Sequence, residues 1–201
     1  MIDVARPAIE ARALSKVYAG GTRALGDVDL SVAHGDVFGL LGQNGAGKTT
    51  LIRILLDMIR PTAGRALLAG FDTQRQGDEA RRHVGYLPSD PRFYSGMTGA
   101  QIFELAAALR GAPLDRRYLA DLEERLDLDP HRVIQTLSRG NQQKVGLILA
   151  VVSKPTVVIL DEPTSGLDPV VQEEVLRIVR EVAADGRTVF FSSHILHEVE
   201  E

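Results

Sequence analysis

Residues 36–41 read Asp-Val-Phe-Gly-Leu-Leu and run straight into Gly42-Gln43-Asn44-Gly45-Ala46-Gly47-Lys48-Thr49-Thr50. A short apolar strand, a glycine-rich turn and a helix in that order are the context a phosphate loop of pattern G-x-x-x-x-G-K-[ST] requires. Glycine at positions 42, 45 and 47 lets backbone N–H groups turn inward around phosphate oxygens where a Cβ would obstruct. The following helix aims its positive end at the same anion. Lys48 is expected to reach the β- and γ-phosphates, and Thr49 to offer its hydroxyl to Mg²⁺. Helical spacing of Leu51, Ile52, Leu55, Leu56 and Ile59 carries that helix over residues 48–59, and Pro61 stops it.

Working outward, the run Thr-Val-Val-Ile-Leu at 156–160 reads as a buried strand followed by Asp161-Glu162-Pro163. Ligands of open α/β sheets bind at the carboxyl ends of strands, and two acids placed there are costly without a cation. Side chains alternate along a strand, so the two acids need not share a job. Asp161 is expected to hold Mg²⁺ and Glu162 to orient or deprotonate the water attacking a γ-phosphate.

The remaining chain fits an α/β architecture. Segments 9–18 and 24–32 partly alternate apolar and polar residues around Gly20-Gly21 and read as a small antiparallel sheet. A strand is expected at 84–87. Amphipathic patterns at 100–109, 117–126 and 139–152 form a helical lobe within 89–153. Strand character returns at 156–160 and 188–192, separated by a helix that Asp168 caps and Pro169 opens, with Val171, Val175, Ile178, Val179 and Val182 on its buried face. Continuous apolar strands alternating with helices imply a parallel sheet covered on both sides.

Composition removes several classes. With 201 residues the chain has the size of one domain. Its 44% hydrophobic and 25% charged residues exclude disorder and fibres. A formal charge of -4 argues against a general nucleic-acid binder, and the absence of cysteine rules out disulfides and thiolate metal sites. No apolar run approaches the roughly 20 residues of a membrane span, and residues 1–12 lack a secretory signal, so a cytoplasmic location is expected.

Three further pieces follow in fixed order: Leu137-Ser138-Arg139-Gly140-Asn141-Gln142-Gln143-Lys144, then Ser165-Gly166-Leu167-Asp168, then His194 after Thr-Val-Phe-Phe-Ser-Ser. Each alone is bland, since a serine often caps a helix and a histidine after a strand is usually structural. Together with the phosphate loop and Asp161-Glu162 the set resembles the ABC-transporter ATP-binding cassette along almost the whole chain. The resemblance implies a RecA-like P-loop NTPase core (1–88 and 154–201) with a small antiparallel subdomain and an inserted helical subdomain (89–153). It implies two copies of the chain sandwiching two ATP molecules head to tail. Ser138, Arg139, Gly140 and Asn141 would then act in trans on the γ-phosphate, Asp168 would line the dimer seam, and His194 would contact the γ-phosphate and the attacking water. Tyr18 matches the family aromatic that stacks on adenine.

The pattern is not followed everywhere. Where family members carry a glutamine touching Mg²⁺, residues 88–91 read Pro-Ser-Asp-Pro, leaving Ser89 or Asp90 as the equivalent. Arg139 and Asn141 replace the commoner Gly and Gln, as in single-cassette bacterial exporters of the drug and antibiotic resistance kind. His197 and Glu198 read as a helix face rather than a metal pair. Family members also continue past residue 201, so the chain looks truncated, with a sheet edge left unpaired. The leading expectation is an ATP-hydrolysing subunit, peripheral on the inner face of the membrane, that drives separate integral-membrane permease subunits. A soluble ABC-type ATPase acting on nucleic acid or ribosomes is the alternative. An inactive ATP-binding regulator is disfavoured because Lys48, Asp161, Glu162 and His194 are all present.

Overall fold

The structure, a computed structural model, describes residues 6–111 and 113–195. In chain order its elements are β1 (Ile9–Val17), β2 (Arg23–Val32), β3 (Val37–Leu41), α1 (Lys48–Leu55), β4 (Ala63–Leu68), β5 (Phe71–Asp72), α2 (Gly77–Arg82), β6 (Val84–Leu87), α3 (Gly99–Arg110), α4 (Arg116–Arg125), α5 (Arg139–Val151), β7 (Val157–Asp161), α6 (Pro169–Ala184) and β8 (Thr188–Ser193). Among the described residues the strands form two four-stranded sheets, an antiparallel one ordered β2-β1-β4-β5 and a parallel one ordered β3-β8-β7-β6. The antiparallel sheet is larger than the two strands expected, because β1 pairs on its other side with β4. The first helix ends at Leu55, four residues short of the expected end, where Leu56 leaves helical geometry and Asp57 turns to φ 54°. The residues 197 and 198 and the helix expected near 194 lie outside the described residues.

Period-two alternation explains the layering. Val157 and Ile159 of β7 and Phe190 of β8 belong to a buried cluster with Leu51, Ile52, Ile54 and Leu55 of α1 and Ile9, Leu14 and Leu68 of the antiparallel sheet. Val158, Leu160, Val189 and Phe191 face the other way, into a cluster with α3, α4, α5 and α6. Helix α1 is thus packed between the two sheets, and α5 and α6 cover the opposite face. The four β7 residues named here are at most 1% exposed, the fully covered strand that its unbroken apolar run implies.

Caps follow the sequence. Ser138 Oγ accepts from Asn141 N at 3.2 Å at the start of α5, and Asp168 Oδ1 accepts from Val171 N at 3.1 Å ahead of Pro169 in α6. Helix α5 lies very close to β6: at Gly85 an added Cβ would sit 1.7 Å from the Ala150 carbonyl oxygen.

Candidate nucleotide site

The same alternation that builds the core places the acids. Asp161 continues the face of Val157 and Ile159, toward α1, and its register partner across the ladder is Ser192 of β8. Asp161 is fully buried; Oδ2 accepts from Thr49 Oγ1 at 2.9 Å and Oδ1 from Ser192 Oγ at 2.6 Å. Two hydroxyls thus offset the desolvation of that carboxylate. Tyr86, in the adjacent strand β6, feels the same charge. Burial and then the charge of Asp161 push its phenol up to about 12, against an opposing pull from Arg53.

Glu162 ends the strand with φ 55°, a left-handed conformation uncommon for a non-glycine residue. Its N–H donates to the carbonyl and hydroxyl oxygens of Ser192 at 3.2 and 3.0 Å, and its carbonyl accepts from Gln143 Nε2 of α5 at 3.1 Å. These bonds hold the turned backbone. The side chain then leaves the Asp161 face and lies between Lys48 and His194: Oε1 is 3.1 Å from Lys48 Nζ, and Oε2 is 2.5 Å from His194 Nδ1. Lys48 is aimed at the Gly42 carbonyl, with Gln43 O at 3.4 Å, so the buried Oε1 has no hydrogen-bond donor of its own.

The loop leaves β3 and is seated on the end of β8, since Gly42 N donates to Ser193 O at 3.2 Å. Gly47 caps α1 at φ 92° with no side-chain cap, and a Cβ there would meet the Ala24 carbonyl oxygen at 2.4 Å. Only glycine satisfies both the dihedral and that contact. The first N–H groups of α1 are therefore left for an outside anion.

A cleft of about 470 Å³ opens over these residues. Gln43, Asn44, Gly45, Ala46, Gly47, Lys48, Thr49 and Thr50 line it together with Tyr18, Glu162 and His194. Tyr18 is 38% exposed; its hydroxyl lies 3.2 Å from Thr50 Oγ1 and its ring centroid 5.3 Å from Lys16 Nζ. Of the two candidates near the helical lobe, Ser89 lines the cleft, whereas Asp90 is outside it and pairs with Arg92 at 3.4 Å. Ser138, Gly140, Asn141 and Asp168 do not line the cleft of their own chain, but Arg139 does. Ser192 and Gln143 were not singled out from sequence. The signal for both is polarity where burial is expected, a serine inside an apolar strand and a glutamine on the core face of a helix.

The family model described as ABC transporter matches residues 25–165. The chain belongs to the ABC transporter family. The cassette is 40% identical to an uncharacterized ABC transporter ATP-binding protein of Nostoc sp., over 93% of this chain and 59% of that one. It is 35% identical to the bacitracin transport ATP-binding protein BcrA of Bacillus licheniformis, over 94% of this chain and 62% of the relative. The cassette thus spans about six tenths of the length of these curated relatives. A solved dimeric ATP-binding cassette in a post-hydrolysis state, bound to ADP and Pi, superposes with a TM-score of 0.85 at 24% identity, covering 95% of this chain and 90% of that one. That likeness fixes the fold as the P-loop NTPase core of ABC ATPases. No helix among the described residues is long and apolar enough to cross a membrane.

Proposed function

We propose that the cassette is the ATP-hydrolysing subunit of an ABC transporter, working as a homodimer beside separate integral-membrane permease subunits on the cytoplasmic face of the membrane. The observation that carries this reading is the Glu162 carboxylate, held between Lys48 and His194 at the mouth of the phosphate loop, its buried Oε1 without a hydrogen-bond donor. That is the placement a base for an attacking water needs. The donor set also fits Mg²⁺: a hydroxyl, Thr49, already turned to a buried carboxylate, Asp161, with Ser89 on the same cleft. Bound there, the ion would neutralise charge on the β- and γ-phosphate oxygens. The chain's own residues do the rest. Inward N–H groups of residues 45–49 and the start of α1 bind the phosphates, Lys48 exchanges the Gly42 carbonyl for phosphate oxygen, and Tyr18 stacks on the base. His194 orients Glu162 and meets the terminal phosphate.

Ser138, Gly140 and Asn141 lie outside their own cleft, at the capped start of α5, which supports a role on the nucleotide of a facing copy with Asp168 in the seam between them. The dimeric relative supports the same arrangement. Likeness to a bacitracin transport protein and the Arg139/Asn141 variant support export of an antibiotic-like cargo. Replacing Glu162 by glutamine is expected to leave ATP binding intact and to accumulate an ATP-bound dimer seen by size-exclusion light scattering. Unchanged hydrolysis would remove Glu162 from the role of base. Co-purification with an integral-membrane protein is expected; co-sedimentation with ribosomes instead would favour the soluble alternative.

A further inference from the structure

Arg139 belongs by resemblance to the group that acts on a facing subunit, yet its side chain lines the cleft of its own chain, together with Lys48, Thr49, Glu162, Ser165 and His194. Its position is fixed by two contacts. Gln143 lies one turn further along α5 on the same face and donates to the Glu162 carbonyl at 3.1 Å. Gly140 is packed so closely on the loop after β7 that a Cβ would stand 3.0 Å from the Gly166 carbonyl oxygen. The first turn of α5 is therefore tied to both sides of the turn that carries Glu162, and Arg139 travels with that carboxylate.

The charge is also uncommitted. Arg139 is exposed and has no ion-pair or hydrogen-bond partner among the described residues, whereas Lys48 is engaged by the Gly42 carbonyl and Glu162. A guanidinium presents five donors in a planar fork suited to phosphate oxygens, and it is always charged. At the edge of a cleft whose floor is a phosphate loop, its natural acceptor is the terminal phosphate.

We propose that Arg139 binds the phosphate end of a nucleoside triphosphate held in its own chain, before a second copy engages, and so favours triphosphate over diphosphate. The proposal rests on the reading of the cleft as an ATP site. It separates residue 139 from Ser138, Gly140 and Asn141: the segment at the start of α5 would serve two nucleotides, its arginine the near one and its serine and helix start the far one.

The test is nucleotide affinity at a dilution where light scattering shows a monomer, for the unaltered full-length chain, Arg139→Gln and Arg139→Lys. Melting temperature serves as the check on folding. Removing one charge-assisted contact is expected to weaken Mg-ATP binding by about tenfold in Arg139→Gln, with ADP changed by less than about twofold. Arg139→Lys, which keeps the charge but not the fork, should recover part of the loss. Equal ATP affinity in the monomeric unaltered chain and Arg139→Gln would overturn the proposal, most clearly if ATP-driven dimerisation were lost at the same time. So would an equal loss for ATP and ADP. An unaltered chain that binds no ATP would instead refute the ATPase reading, and this one with it.

Discussion

Gly85→Ala measures how tightly helix α5 is seated on the parallel sheet. An added Cβ would meet the Ala150 carbonyl oxygen at 1.7 Å, the Ala150 carbonyl carbon at 2.7 Å and Pro155 Cγ at 2.9 Å. The first two obstacles are backbone, so no rotamer change relieves them, and α5 must retreat from β6 by more than an ångström. Overpacking of a core costs about 1–3 kcal/mol, and a backbone obstacle places this site at the upper end, about 3 kcal/mol. For a chain of this size each kcal/mol lowers the melting temperature by about 2–4 °C, so a fall of about 6–12 °C is expected by circular dichroism. Gly146→Ala provides the contrast from the other side of the same contact. Its Cβ would meet Leu87 Cδ1 at 2.6 Å, the end of a flexible side chain, and the helix gains about 1 kcal/mol of propensity in exchange. A near-unchanged melt is expected there. Turnover of ATP in Gly85→Ala should fall more than ATP binding, because α5 also holds the Glu162 carbonyl through Gln143. A Gly85→Ala melt within about 2 °C of the parent, or equal melts for both variants, would refute the reasoning.

Ser192→Ala removes one of the two hydroxyls on Asp161 and an acceptor of Glu162 N. A hydrogen bond to a buried charge contributes about 1.5–3 kcal/mol, so urea denaturation should show a loss of that size, and half-maximal ATPase activity should need more Mg²⁺. Arg125 joins α4 to α6 through Glu174 at 2.6 Å and Glu181 at 2.7 Å, and these carboxylates raise its pKa well above the ordinary value. Arg125→Gln should destabilise the chain by about 1–2 kcal/mol, with less loss at high salt, measured by urea denaturation with and without added salt. The Tyr86 phenol, raised from 10.0 to about 12, stays protonated in the fold while the unfolded chain ionises. Stability from that group is whole below pH 10 and is lost as pH rises toward 12. Melts between those limits should steepen relative to Tyr86→Phe, and parallel curves would contradict this.

The strongest local patterns were legible because they are set by nearby residues. The phosphate loop, the strand before it and the buried face of α6 need no distant partner to be read. Strand β4 and the short β5 were not read, since β4 (Ala-Gly-Arg-Ala-Leu-Leu) alternates poorly and owes its state to pairing with β1. Helix α2 was missed as well; it has six residues and no side-chain cap. In the site, the candidate residues Lys48, Thr49, Asp161, Glu162 and His194 stood in motifs, but Ser192 and Gln143 did not announce a role. Their work is to hold Asp161 and Glu162 from elements distant in sequence, which only the β7–β8 register and the seat of α5 bring together.

The strand order carries one more consequence. β3, which feeds the glycine loop, pairs among the described strands with β8 alone, and the contact that begins their alignment, Gly35 N to Thr188 Oγ1, spans 153 residues. During synthesis the loop therefore leaves the ribosome long before the neighbour that fixes its mouth. A nascent chain arrested ahead of β8 would carry every residue of the glycine motif and still have no firm grip on nucleotide, so competence arrives late and all at once with the final described strand.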